Sequence, residues 1–352
     1  MHFGLFGGAR TVIDARASDS QMYTDYIDYV QEAEAMGFYG LFLVEHHFTG
    51  VGQISDSLGF LKYLAAKTSR IRLGTAVIVL PWHNPALLAE QVATVDLLSN
   101  GRFDFGVGRG YRQNEFDGFC IPIEEANERY EETLDFLRTA WTTAGRFSHH
   151  GKYWDFEDIV VEPEPVQKPH PPLWVGAGSN QSIEQAARRG FNILLSQHGT
   201  PEDIGKKIEV YRTALEAAGG VYTPQSVGLT RALHVVYNDA ERDAAHRVRN
   251  EFMQNVQDLA NKGVAVGTGF YKGYNSTDEM RQATEEEALI GDPAEIIGRL
   301  KEYQAVGVDY VLMLDVSGSH TALQTFGAEI MPEFTEKPGI SEAEIPNQRT
   351  NP

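Results

Sequence analysis

The sequence predicts an α/β protein, a single (β/α)8 TIM barrel over residues 1–336, with insertions at about 146–172 and 250–290 and a tail at 337–352. Three observations predict it. About eight short apolar runs alternate with helical stretches, the pattern of a parallel sheet covered by helices, and eight strands close a barrel. Four junctions repeat one unit: a helix end, a glycine and a buried strand. The first strand, at 3–6, runs into Gly7-Gly8-Ala9-Arg10-Thr11, which lacks the glycine fingerprint that an open dinucleotide-binding sheet carries there.

Taken in order, the run at 3–6 is the first strand. From Asp25 onward Tyr26, Tyr29, Val30, Ala33 and Met36 recur at helical spacing, Gly37 stops the helix, and 39–44 is the second strand. The same unit returns with Gly101 before 103–107, with Gly190 before 192–195 and with Gly307 before 310–314. A helix at 61–66 leads to the strand at 71–80 without a glycine. The runs at 173–175 and 227–236 complete the eight.

Two segments interrupt this alternation. Residues 146–172, with His149-His150-Gly151 and a proline-rich stretch from Pro163 to Pro172, read as a loop or small hairpin before the fifth strand. Residues 250–290 join a helical piece to Gly263, Gly267, Gly269 and Gly273 and the acidic run Glu285-Glu286-Glu287. Long excursions of this kind serve as lids, binding loops or disordered segments, and the second is a candidate lid. The polar, proline-containing tail has no apolar period.

Lys plus Arg number 30 and Asp plus Glu 49, a net charge of −19. That charge repels nucleic acid and anionic membranes. The single cysteine, Cys120, can form no internal disulfide; it fits a reducing compartment and is expected to be a buried thiol. No basic-then-apolar leader opens the chain, and its apolar runs fall far short of the ~20 residues of a membrane helix. A soluble, cytoplasmic protein is expected.

The strand ends carry the chemistry. They are Glu45-His46-His47, Pro81-Trp82-His83-Asn84, Gly108-Arg109-Gly110-Tyr111, Gly178-Ser179-Asn180, Ser196-Gln197-His198 and Asp315, and in a barrel they converge on one mouth. Carboxylate and imidazole are metal ligands, but strand alternation puts Glu45 and His47 on one side and His46 on the other, and the first strand offers only His2. No metal site is expected. Arg109 between glycines can grip a phosphate, and Gly176-Ala177-Gly178-Ser179-Asn180-Gln181-Ser182 leads into a helix whose amino-terminus is a second anion site. Together they point to a phosphorylated ligand.

Four motifs in register resemble one family. Glu45-His46-His47-Phe48; Arg72-Leu73-Gly74-Thr75-Ala76-Val77 with Leu80-Pro81 and Asn84-Pro85; Gly101-Arg102-Phe103 leading to Gly108-Arg109-Gly110; and the glycine-rich fifth strand are together similar to the bacterial luciferase-like, flavin-dependent monooxygenases. The match runs from the first strand to about residue 200 and returns over 307–332.

The resemblance implies a barrel that binds FMN as reduced FMNH2, delivered by a separate NAD(P)H flavin reductase, commonly in a homodimer. It places Glu45 near the flavin and His46 at the acid–base position, both catalytic, and gives the phosphate to Arg109 with Ser179, Ser182 and Arg129. Ala76, Val77, Gly108, Tyr111, Gly178, Ser196 and Gln197 complete the implied cofactor site, with a cis peptide between Ala76 and Val77. The implied reaction forms a flavin hydroperoxide from O2 and oxygenates a small organic substrate, carbonyl or apolar, behind a wall of Phe6, Phe48, Trp82 and Tyr111. Gly108 stands where the luciferases have a reactive cysteine and Gly178 where they have an acidic residue, so light emission is not expected. Hydride transfer with a deazaflavin is one alternative; non-catalytic flavin binding is another. The substrate would be chosen by 50–55, 82–84 and 250–290.

Overall fold

Eight parallel strands close on themselves. The computed structural model describes residues 1–8, 18–50, 54–260, 277–314 and 319–334. Its strands are β1 (His2–Gly7), β2 (Gly40–Leu43), β3 (Arg72–Thr75), β4 (Ile78–Val79), β5 (Phe103–Gly108), β6 (Phe147–His150), β7 (Asp155–Ile159), β8 (Leu173–Gly176), β9 (Asn192–Leu195), β10 (Val227–Val235), β11 (Leu289–Gly291) and β12 (Tyr310–Leu314). The ladder runs β1, β2, β3, β5, β8, β9, β10, β12 and back to β1. Each of the eight expected runs supplies one barrel strand. The run at 71–80 is divided: β3 stops at Thr75, the Ala76–Val77 peptide is cis, and β4 resumes the pairing with β5 at Ile78↔Val107 and Val79↔Gly108.

The repeated junction has a common geometry. Gly37, Gly101, Gly190 and Gly307 adopt φ of 93°, 78°, 71° and 95°, a left-handed turn that a side chain would oppose and that redirects the chain from helix to strand. The junction without a glycine is held by Arg102. The helix Ser57–Lys67 ends at an extended Thr68, and the Arg102 guanidinium donates to the carbonyls of Ala65, Thr68, Ile71 and Ser99 and to the Thr68 hydroxyl.

Most of the core lies between strands and helices; a smaller cluster fills the barrel. Phe42, Trp174, Leu194, Tyr310 and Leu312 are buried inside it, with Phe6, Tyr39 and Ala76 packed against them. Glycines make room for these rings: a Cβ on Gly74 would lie 2.5 Å from the Phe42 ring, and one on Gly40 2.6 Å from the Tyr310 hydroxyl. Arg72 closes the cluster with a bidentate bond to Asp104 at 2.7 and 2.8 Å, and the Trp174 indole donates to the same carboxylate.

The excursion at 146–172 contains the antiparallel hairpin β6–β7. It is pinned twice: Glu132 accepts from the backbone N–H groups of Lys152, Tyr153 and Trp154, and the buried Asp96 accepts from the backbone and side chain of Gln167. In the excursion at 250–290 the helices Asp239–Ala260 and Thr277–Glu287 are followed by β11, which pairs with β10 beside the barrel and has no counterpart among the expected strands. Gly263, Gly267, Gly269 and Gly273, Asp315 and the tail at 337–352 lie outside the described residues, as does the expected domain boundary. Cys120 is a correction: it is exposed, at φ 57° in a turn after a short helix, where it has no core to enter.

Candidate active site

Beyond β2 the chain continues as Val44-Glu45-His46-His47, beyond β4 as the turn Leu80–Trp82 and His83, and beyond β5 as Arg109 to Arg112 and the helix Gln113–Gly118. Since β3 and β4 lie between β2 and β5 in the ladder, these ends meet. Glu45 and His47 share a side, as alternation requires, with Glu45 Oε1 3.3 Å from His47 Nε2.

Glu45 is buried and clamps the next helix. Its Oε2 accepts from the Ser57 backbone N–H at 2.9 Å and the Ser57 hydroxyl at 2.6 Å, and its Oε1 lies 3.9 Å from His83 Nε2. Burial favours the protonated acid, but the bonds from His47 and Ser57 and the nearby His83 outweigh it and hold the carboxyl below the usual carboxylate range. With Asp56, Leu58, His83, Leu88 and Gln91 it lines a cavity of about 230 Å3 between the strands and the helices Ser57–Lys67 and Pro85–Leu98.

His46 turns to a different partner. Its Nδ1 lies 3.1 Å from Glu115 Oε1, an oxygen that also accepts the backbone N–H of His47 at 3.0 Å. Glu115 is buried; that burial opposes ionisation, yet the bond and charge of His46, the His47 N–H and Arg112 keep its carboxyl low. An ionised carboxylate only accepts, so the proton of the neutral imidazole sits on Nδ1 and Nε2 is left with a lone pair. Burial first, then the Arg112 charge, push His46 below its ordinary value against the pull of Glu115.

Aromatic rings form a wall beside these groups. Trp82 stacks on Phe119 with centroids 4.9 Å apart, Phe116 meets Trp82 edge-on at 5.2 Å, and Phe48 and His47 meet Phe119 at 5.0 and 4.8 Å. Phe48 and Trp82 therefore stand together. The other two expected wall residues do not join them: Phe6 packs on the cluster inside the barrel, and Tyr111 lies beside Arg112, whose guanidinium is 5.7 Å from its ring centroid.

The opposite rim is formed where β5 and β8 end. β5 and β8 pair up to Val107↔Val175, so Gly108 and Arg109 continue alongside Gly176 to Ser179. Ser179 caps the helix Asn180–Arg188 in a capping box with Ser182, and Ser182 Oγ accepts from the backbone N–H groups of Gly178 and Ser179. A Cβ on Gly176 or Gly178 would meet nothing within 4 Å, so the backbone here lies open. Arg109 is exposed. Arg129 is held by Glu125 at 2.8 Å and lies 4.2 Å from the Tyr153 ring centroid. Beyond β9 the Ser196 carbonyl accepts from Arg231, while Gln197 Oε1 is buried without a hydrogen-bond partner. A Cβ on Gly108 would stand 2.5 Å from Val77 Cγ2.

Glu115, Arg112, Ser57, Phe116 and Phe119 were not among the expected site residues. The one available signal was a carboxylate followed by an aromatic, six positions after Arg109. Among the described residues no group of three His, Cys, Asp or Glu side chains is arranged to hold a metal ion, and no helix is long and apolar enough to cross a membrane.

A family model described as luciferase-like monooxygenase matches residues 1–310. The chain belongs to this family. It is 28% identical over 351 residues to the oxygenase component of a flavin-dependent trigonelline monooxygenase from Acinetobacter baylyi, covering 96% of each chain. It is 29% identical to an FMNH2-dependent dimethylsulfone monooxygenase from Pseudomonas putida, covering 88% of each. Among solved structures, the monooxygenase RslO1 from Streptomyces bottropensis superposes with a TM-score of 0.81 at 25% identity, over 95% of this chain and 100% of that one. Membership of the luciferase-like monooxygenases makes the chain an oxidoreductase.

Proposed function

We propose that the chain is the oxygenase component of a two-component system, taking FMNH2 from a separate NAD(P)H flavin reductase and using O2 to oxygenate a small organic substrate. The observation that carries this reading is the pairing, across one barrel mouth, of an open anion rim at Gly176 to Ser182 with the His46–Glu115 dyad.

The residues present fit FMN. Ser179, Ser182 and the backbone N–H groups of Asn180 and Gln181, which open the helix Asn180–Arg188, would take the phosphate with Arg109, the glycines leaving it room. Gln197 Oε1, a buried acceptor without a donor, matches the N–H edge of the ring system. Ala76, Val77 and Gly108 would floor the site. Bound FMNH2 would supply the electrons and the centre that activates O2. His46 would take or give a proton at Nε2 while Glu115 fixes its tautomer, and the wall of Phe48, Trp82, Phe116 and Phe119 would keep water out. Glu45 would act through the clamp on Ser57 and His47.

We further propose a homodimer in the cytoplasm. The helix Pro85–Leu98 is mostly apolar and leaves Leu87, Leu97 and Leu98 at least 41% exposed, a face suited to a second copy.

The test is anaerobic binding followed by turnover. Purified chain is expected to bind reduced FMN more tightly than oxidised FMN and, with a reductase and 18O2, to incorporate label into a product from a substrate panel. Turnover with a reduced deazaflavin and none with FMNH2 would contradict it and favour hydride transfer; flavin binding without any turnover would favour the non-catalytic reading.

A further inference from the structure

Arg112 is among the most deeply buried cations at the mouth, with 3% of its surface exposed. Its Nε and Nη1 are buried without a hydrogen-bond partner. Among the described residues its one charge partner is Glu115, whose Oε1 lies 3.9 Å from Nη1, beyond hydrogen-bond distance. That oxygen is already committed to His46 Nδ1 and the His47 N–H. The Arg112 charge is thus balanced, while its donors are not satisfied. Buried donors without acceptors are rare and costly, and a hydrogen bond from a guanidinium N–H to an oxyanion is among the strong ones.

We propose that Arg112 anchors an anionic group of the substrate, so that the enzyme selects small organic carboxylates or like oxyanions over neutral compounds. This rests on the monooxygenase reading for the reaction, but the recognition itself does not involve the flavin. The geometry suits a flat, apolar body carrying one oxyanion. Arg112 opens the helix Gln113–Gly118, whose Phe116, together with the following Phe119, supplies two rings of the aromatic wall. A carboxylate held at Arg112 would place the rest of the molecule beside those rings and near His46, which shares Glu115 with Arg112.

The experiment compares benzoate with benzamide, equal in shape and different in charge, by calorimetry on the intact chain without flavin. Benzoate is expected to bind at least ten-fold more tightly, and Arg112→Gln to abolish the preference while Arg112→Lys keeps part of it. A second readout needs no variant. Arg112 is one of the groups that lower the His46 pKa, alongside burial and His47 and against Glu115, so an anion seated on Arg112 should move the His46 titration, followed by NMR, to higher pH with benzoate and not with benzamide. Equal affinities, no measurable benzoate binding, a preference that survives Arg112→Gln, or an unmoved His46 would each overturn the proposal. Loss of reduced-FMN binding would count against the flavin reading alone, because both measurements are made without flavin.

Discussion

The imidazole of His46 and the carboxylate of Glu115 stand 3.1 Å apart, Nδ1 to Oε1, across 69 positions of sequence. One comes from the end of β2 and the other from the short helix after β5, so closure of the barrel brings them together. Glu115 raises the proton affinity of His46, while burial and Arg112 lower it, and the lowering wins. The shift favours the neutral imidazole, the form able to act as a base, at pH 7.

The pH profile should report this balance. If His46 serves as the base, kcat/KM falls as pH drops through its folded pKa, below 6.5. Glu115→Gln removes the raising charge, so the acid limb should move to lower pH. Arg112→Gln removes a lowering charge, so the limb should move to higher pH. His46→Ala should abolish the limb and cost about 10²–10⁴ in rate. Opposite shifts of the two neighbours, measured on one substrate, are the expected outcome; shifts in the same direction would remove His46 from the role.

Ser57→Ala tests the Glu45 clamp. The variant takes the 2.6 Å hydroxyl donor from a buried carboxylate, and removing one partner of such a bond costs about 1–3 kcal/mol. Urea denaturation should show a lower midpoint. An unchanged midpoint would mean that the Ser57 hydroxyl contributes nothing to the hold on the helix.

Inside the barrel, Gly74→Ala would set a methyl 2.5 Å from the Phe42 ring. Overpacking of this kind costs about 1–3 kcal/mol. Phe42→Leu in the same chain should recover part of the loss, an energetic coupling that denaturation of the single and double variants would measure.

Leu97→Asp with Leu98→Asp is expected to convert a dimer to a monomer in sedimentation, since both side chains stand out from the helix Pro85–Leu98. A monomeric parent chain would contradict the proposed dimer directly.

The barrel was legible because strands buried on both faces read as unbroken apolar runs, and because Gly37, Gly101, Gly190 and Gly307 mark positions whose backbone disfavours a side chain. β11 was hidden: three residues give no period, and its pairing with β10 is tertiary. Cys120 was misjudged because a lone thiol carries no positional signal, and its exposure follows from the turn it occupies. At the site, Glu45, His46 and His47 announced themselves as charges ending an apolar run. Glu115 and Arg112 did not, because one lies in a six-residue helix with no repeat and the other just before it, and their meaning lies in partners reached only through the fold. The Ala76–Val77 cis peptide was implied by the family resemblance; nothing in the composition of the strand points to it.

The central claim is that this mouth holds reduced FMN by its phosphate, at Ser179, Ser182 and Arg109. The most direct measurement is anaerobic equilibrium binding of reduced FMN against reduced riboflavin, which shares the ring system and lacks the phosphate. The account predicts that riboflavin binds about 100-fold more weakly, the loss expected from a charged anchor, and that Arg109→Ala with Ser179→Ala brings FMN down to the riboflavin level. Equal affinities for the two flavins would contradict it.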